Sequence, residues 1–234
     1  MSVDSNAPWL SIIVPVLNEA NGIQQFLAHL QPWREAGCEL VVVDGGSVDQ
    51  SAALAQRLCD RVVNSSSGRA RQMNAGARES LAPLLLFLHA DTALPSAALN
   101  TLRELSQGRQ RFWGRFDVRL GGPAPLLRVV ERMMNCRSRM TGIATGDQAI
   151  FVSRALFDDV GAYPDIELME DIALSARLRR RVWPDCLPLR VETSARRWEQ
   201  KGIVATILTM WGLRLAYAIG VSPRRLAAWY RQIR

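Results

Sequence analysis

Lysine is almost missing from this chain of 234 residues. Of 29 basic side chains only Lys201 is a lysine, so a formal net charge of +7 rests on arginine. The planar arginine fork matches phosphate, which points to a nucleotide-sugar, a nucleic acid or an anionic membrane surface; compositional bias in the source genome is the competing explanation. Histidine is scarce, with His29 and His89 the only two. Cys38, Cys59, Cys136 and Cys186 form no Cys-x-x-Cys pair, so a structural zinc site is not expected. Dispersed cysteines in a chain of this size read as reduced, cytoplasmic residues. There is no Gly-x-Gly-x-x-Gly fingerprint and no Walker lysine motif. The opening MSVDSNAPWL has no charged segment followed by an apolar one, and no signal peptide is expected. Internal repeats and low-complexity tracts are absent as well.

What is present is a globular composition and a length suited to one large domain, or one domain with an appendage. Ser11–Val16 and Leu40–Val43 read as strands, with a helical repeat of Ile23, Phe26, Leu27 and Leu30 between them. Ser47 and Gln50 have the spacing of a capping box opening the next helix. Residues 61–63 suggest a short strand, Gly68–Glu79 a helix of small residues, and Leu84–Leu88 a strand apolar enough to need cover on both faces. This alternation predicts right-handed βαβ units and a mostly parallel sheet. Further on, Phe116, Val118 and Leu120 alternate with Arg115, Asp117 and Arg119, the pattern of a half-buried strand. Pro123–Arg139 should be helical, Gln148–Val152 a strand, and 154–160 and 170–181 helices. The expected organisation is an α/β domain over residues 8–195 with a C-terminal helical segment over 196–234.

Ligands of such sheets bind beyond the carboxyl ends of the strands, and several polar clusters fall there. Asp91 leaves the Leu84–Leu88 strand in the run His89-Ala90-Asp91-Thr92. It can hold a Mg²⁺ or Mn²⁺ that carries a diphosphate, or it can be a turn aspartate before Pro95. Asp44-Gly45-Gly46-Ser47 follows a strand and opens a helix, so Asp44 can face a base or ribose or can organise a plain βα turn. Glu170 and Asp171 lie in the first turn of a helix, where the helix dipole favours them, but adjacent carboxylates also suit general-base work. Asp147 in a polar turn can reach an acceptor hydroxyl. Arg69 and Arg71 can meet a phosphate or a base, or simply be solvated.

The order of these pieces is more specific than any one of them. A strand ending Val-Pro-Val-Leu-Asn-Glu, then Val-Val-Asp-Gly-Gly-Ser, an Asn-Ala-Gly helix, Leu-His-Ala-Asp and Glu-Asp-Ile-Ala-Leu together resemble the family 2 glycosyltransferases over roughly residues 9–182. The narrower resemblance, through Arg196-Arg197-Trp198-Glu199 to the C-terminus, is to the radical-SAM/selenodomain-associated transferase 2 subgroup linked to arsenosugar biosynthesis. This resemblance implies a GT-A fold and inverting transfer from a nucleotide-sugar donor. It implies that Pro15 and Glu19 line the nucleoside pocket, that Asp44 reads the base and that Arg69 and Arg71 flank the nucleotide. It makes Asp91 the last aspartate of the metal motif and Asp171, beside Glu170, the catalytic aspartate. His89 stands where the family usually has its first metal-motif aspartate; an imidazole there would weaken a hard-cation site and favour Mn²⁺ over Mg²⁺ if it coordinated. The acceptor is open between a small molecule, including an arsenic- or selenium-containing one, and a lipid.

Ile203–Val221 is apolar apart from Thr206, Thr209 and Arg214. As a helix it would be about 28 Å long, near the thickness of a bilayer core, with Arg214 opposing insertion by roughly 2.5–3.5 kcal/mol. Packing on the catalytic domain or in a homodimer, lying on an anionic membrane, and spanning one are the three readings. The membrane reading would make the protein peripheral to the inner face of the membrane. Two other function classes compete. A sugar nucleotidyltransferase would have a Gly-rich first loop with an activating basic residue, where this chain has Pro-Val-Leu-Asn-Glu. A nucleic-acid-binding protein would interleave its arginines with aromatics, and these are not; nucleic acid is not an expected partner.

Overall fold

The structure, a computed structural model, describes residues 7–233. Leu10–Val16 (β1) is followed by two short helices, Ile23–His29 (α1) and Gln31–Glu35 (α2), and then by Cys38–Asp44 (β2). Ser51–Ala55 (α3), Arg61–Asn64 (β3), Arg69–Glu79 (α4) and Leu84–Phe87 (β4) complete the alternating half. The second half runs Thr92–Ala93 (β5), Ala97–Gly108 (α5), Trp113–Leu120 (β6), Pro125–Thr141 (α6), a 3₁₀ turn at Gly146–Gln148, and Ile150–Ser153 (β7). Arg154–Asp159 (α7), Glu170–Leu178 (α8) and Asp185–Thr193 (β8) lead to three C-terminal helices, Arg196–Lys201 (α9), Ile203–Ala218 (α10) and Pro223–Ile233 (α11).

The eight strands form one sheet in the order β3-β2-β1-β4-β7-β6-β8-β5. Pairs β1–β2, β1–β4, β2–β3 and β6–β8 are parallel; β4–β7, β6–β7 and β5–β8 are antiparallel. The parallel block has helices on both faces, which explains its nearly uninterrupted apolar strands. Ile12 and Val14 of β1 pack with Ile23, Leu27, Trp33, Ala98 and Leu102, while Ile13 turns to the opposite core with Ala70, Met73, Leu174 and Leu178. Gly76 lets α4 approach the sheet: a Cβ there would lie 2.5 Å from Ile13 and 2.8 Å from Val43.

Several expectations need correction. Ser47 caps no helix; its Oγ accepts the Asn18 N–H at 2.9 Å, and α3 starts later, with Asp49 Oδ1 accepting the Ser51 N–H. Gln148 belongs to the 3₁₀ turn, where it closes a capping box with Thr145, and not to β7. Arg115 does not face water but is 1 % exposed, bonded to Asp117 and to the Asn135 carbonyl. β4 stops at Phe87, so Asp91 lies beyond its end and just before β5. α2, α5 and β8 were not read from the sequence. β8 is only partly buried and contains Pro188. That proline sits where the β6–β8 register jumps, with Phe116 paired to Leu187 but Asp117 to Arg190, as expected for a residue with no N–H to give a ladder. All four cysteines are free; burial raises the Cys38 thiol to about 12 and Cys59 to about 11.

Candidate active site

The parallel strands β1, β2, β3 and β4 end on one edge, and hydrogen bonds knit their outgoing loops together. Asn18, at φ 56°, receives from the Val48 N–H through its side chain at 2.9 Å. The Glu19 N–H donates to Ser51 Oγ at 2.7 Å, and the Ala20 N–H to Asp49 Oδ2 at 3.1 Å. Gln72 of α4 reaches under both loops, giving its amide to the Val16 and Val43 carbonyls at 2.9 Å each. Asp44 is 6 % exposed; its Oδ2 takes the Gly46 and Ser47 N–H groups at 3.0 Å, while its buried Oδ1 has no partner among the described residues. An orphaned carboxylate oxygen at a strand end costs stability unless something donates to it.

Beyond this edge lies a cleft of about 1140 Å³. Its lining includes Pro15, Glu19, Arg69 and Arg71 together with His89, Asp91, Asp147 and Glu170. The C-terminal helices add Trp198, Thr206, Thr209, Met210 and Tyr230 to the lining. Asp44 is not on the cleft wall, nor is Asp171. The Asp171 carboxylate is fixed by two backbone donors, Gly146 N–H to Oδ2 at 2.9 Å and Ile172 N–H to Oδ1 at 2.7 Å. Its neighbour Glu170 is pushed up to about 7, first by burial and then by the charge of Asp171, with Arg69 and His89 pulling the other way. A carboxyl that titrates near neutrality in a cleft is a functional candidate.

The cations around these acids are unequal. Arg71 is paired with Asp165 at 2.8 Å, both on the surface. Arg69 is an exposed residue on the cleft; desolvation lowers its pKa, but Glu170, Asp147 and Asp171 outweigh that and raise it. Arg137 of α6 is pulled down to about 10 by burial and by the nearby charges of Arg214 and Arg115, with Asp171 opposing. Arg214 of α10 is lowered by burial against the pull of Asp171 and Asp147. Neither Arg137 nor Arg214 was singled out for the site from the sequence. The available signal was Arg214 itself, a cation in an otherwise apolar helix, which is stable there only if it turns inward to a polar centre.

The divalent cation implied by the resemblance can be tested against the donors present. Asp91 is exposed, with the Thr92 and Thr193 hydroxyls at 3.3 and 3.5 Å from its Oδ1. His89 does not face it: the His89 Nδ1 is 3.5 Å from Asp147 Oδ1, over Gly146, where a Cβ would stand 2.6 Å from the ring. Among the described residues no three His, Cys, Asp or Glu side chains gather as a ready cage. These donors fit a hard cation that brings phosphate and water oxygens with it, with one carboxylate from the protein.

Residues 11–152 match the model of "Glycosyl transferase family 2". The chain is 30% identical over 175 residues to the PGL/p-HBAD biosynthesis glycosyltransferase Rv2957 of Mycobacterium tuberculosis, covering 67% of this chain and 64% of that protein. It is 28% identical over 179 residues to an undecaprenyl-phosphate 4-deoxy-4-formamido-L-arabinose transferase of Pseudomonas paraeruginosa, covering 57% and 52%. The chain thus spans under two-thirds of the length of these curated relatives. Among solved structures, the mannosyltransferase PcManGT of Pyrobaculum calidifontis, in complex with GDP-Man and Mn²⁺, superposes with a TM-score of 0.65 at 18% identity over 98% of this chain and 70% of that one. TarS 1–349 of S. aureus, in complex with UDP-GlcNAc, gives 0.62 at 17% identity over 79% and 58%. The fold is therefore the GT-A type, and with the family model matching more than half of its length, the chain belongs to glycosyl transferase family 2.

Proposed function

We propose that this chain transfers a sugar from a nucleoside-diphosphate donor to an acceptor nucleophile, with inversion at the anomeric carbon. The observation that carries the reading is one cleft lined by both Arg69 and Glu170, with the Asp171 carboxylate fixed directly behind Glu170. In this reading Pro15 and Glu19 line the nucleoside, the orphaned Asp44 Oδ1 takes an N–H of the base, and Arg69 and Arg71 flank the diphosphate. Asp44 is covered, so the base reaches it only at the edge of the stitched loops. Asp91 holds Mg²⁺ or Mn²⁺, which when bound supplies Lewis-acid stabilisation of the leaving diphosphate. His89 orients Asp147, which hydrogen-bonds the acceptor.

Asp171 accepts the proton of the acceptor hydroxyl as that oxygen attacks C1. The bond from C1 to the diphosphate oxygen breaks, its electron pair leaves with the diphosphate, and Arg69 stabilises the developing charge. A second reading makes Glu170 the base, because its carboxyl both lines the cleft and titrates near 7. The two readings separate by pH profile: with Glu170 as base, the acid limb near pH 7 disappears in Glu170→Gln.

UDP and GDP, the nucleotides in the structural neighbours' complexes, are the first probes. Either should raise the melting temperature, and more so with Mn²⁺. No shift with both at millimolar concentration, with and without metal, would sink the donor reading. The acceptor is a small molecule, for which the arsenosugar-linked resemblance suggests an arsenic- or selenium-containing one, or a lipid.

A lipid surface has support of its own. No helix of the described residues is long and apolar enough to cross a membrane. Ile203 and Ile207 of α10 pack inward on Leu127 and Val130 of α6. The opposite sides expose Val204, Leu208, Trp211 and Leu215, with Leu126, Val129 and Met133. Such a row beside a cationic surface fits the interface of an anionic bilayer.

A further inference from the structure

We infer that Met169 is a positioning residue: held in a left-handed backbone conformation by the C-terminal helices, it sets the direction of α8 and so places Glu170 and Asp171. The inference rests on the proposed reaction only in giving those two carboxylates their chemical role. Met169 immediately precedes them, with φ 70° and ψ 20°. Among the described residues the other non-glycine positions with positive φ are Asn18, Ala149 and Ala162, so Met169 is the one that carries a long apolar side chain there. A Cβ opposes this conformation, which Gly enters freely and Asn at small cost. Strained backbone persists where its surroundings over-determine it, and it is a mark of functional sites.

The surroundings of Met169 do so on three sides. The chain before it is fastened to α4: the Asn74 amide donates to the Tyr163 carbonyl at 2.8 Å, the Asn74 Oδ1 accepts the Tyr163 N–H at 3.0 Å, and Arg71 pairs with Asp165. The helix after it is fastened to the core: Leu174 and Leu178 are buried with Ile13, and the Ser175 hydroxyl accepts the Ala144 N–H at 3.2 Å. The side chain of Met169 itself is buried in one apolar cluster with Leu213 of α10 and Leu226 of α11. None of these three residues is among those lining the cleft, so the cluster acts on a ligand only through the two acids.

The Met169 carbonyl accepts the Ala173 N–H at 3.0 Å, the bond that opens α8. A residue at 169 that left the left-handed region would swing this first turn. Glu170 would then leave the cleft, and Asp171 would lose the Gly146 N–H that fixes its Oδ2. The C-terminal helices, which lie beyond the residues 11–152 matched by the family model, thereby hold the acid pair in place.

Amide hydrogen exchange followed by NMR on the full chain tests this without an acceptor, in Met169→Asn and Met169→Val. Burial alone ranks valine above asparagine at so apolar a position. A left-handed backbone ranks them the other way, because a β-branched residue is excluded there and asparagine is tolerated. The Gly146 amide should exchange about tenfold faster or more in Met169→Val and within about threefold of wild type in Met169→Asn. The Leu88 amide, bonded to the Ile13 carbonyl at 3.0 Å, should be unchanged in both. Should Met169→Val fail to fold, Leu226→Ala replaces it: the Gly146 amide should again be freed, and adding Met169→Asn should restore most of its protection. The inference is overturned if Gly146 exchanges as in wild type in Met169→Val, or in Leu226→Ala where that replaces it, or if Met169→Asn is the more exposed of the two single variants. UDP and GDP binding, measured by melting in parallel, separates the two readings: no nucleotide binding by wild type rejects the donor reading, while the exchange order decides the role of Met169.

Discussion

The two sides of the cleft solve the same problem in opposite ways. On the strand side, loops after β1 and β2 are fastened by backbone N–H groups to Ser47, Ser51, Asp44 and Asp49, so the edge is set before any ligand arrives. Among the helices, Arg137 Nη2 is buried without a partner among the described residues, and the outer rows of α6 and α10 are exposed. A pre-formed edge suits a ligand class shared across a family. An unsatisfied wall suits a partner that completes it, and such completion is where a particular enzyme differs from its relatives.

The largest effect expected from breaking this arrangement is at the junction of the two sides. Asp171→Asn should lower transfer by about 10²–10⁴-fold while leaving intact the UDP or GDP binding proposed for the strand edge. Retained wild-type turnover would remove Asp171 from the role of base. Next is the strand side itself. Gly76→Val puts side-chain atoms where Ile13 and Val43 already lie, and overpacking of this kind costs about 1–3 kcal/mol or more. Chemical denaturation should show it, whereas the same change at Gly212, which has open space around it, should leave the midpoint nearly unmoved.

The strand side was also the legible side. The runs in β1, β2 and β4 are apolar at every position because helices cover both faces, and a fully buried parallel strand has that signature and few others. Asp44, Asp91 and Glu170 were visible because a carboxylate at the end of such a strand, or at a helix start, breaks an apolar context. What was hidden depended on pairing across long separations. Ser47 has the spacing of a cap, yet Asn18, 29 residues away, claims its hydroxyl. Arg115 alternates like a surface residue, but Asn135 and Asp117 make a buried place for it. His89 stands at a metal-motif position, but the residue it addresses is Asp147. Arg137 carries no local mark of its inward position.

A smaller effect tests the charge balance at the junction. Glu170 has its carboxyl raised from near 4.5 to about 7, so the folded chain holds a proton there that the unfolded chain has released between those values. Stability from this group is thus full below pH 4.5 and is lost as pH rises through 7. Glu170→Gln removes the loss. The variant should be more stable than wild type at pH 8 by an amount on the order of 2 kcal/mol, with the difference vanishing near pH 4. Equal stabilities at both pH values in urea titrations would mean that Glu170 is not strained by burial and Asp171 as described.

The smallest effect on folding should come from the uncovered wall, and there the contrast is between two sides of one helix. Leu208 and Trp211 are 65% and 57% exposed, whereas Leu213 is 5% exposed and packs with Met169 and Leu226. Leu208→Glu with Trp211→Glu should shift stability by no more than about 0.5 kcal/mol per site, the usual range for surface changes, while Leu213→Ala should cost about 2–5 kcal/mol. The ordering reverses for lipid. Wild type should float with liposomes of anionic composition, the outer pair of substitutions should abolish flotation, and neutral liposomes should bind less because the arginine charge no longer contributes. If the wild type does not float, sedimentation decides what the row is for: a dimer dissociated by the same two substitutions would assign it to a second copy of the chain.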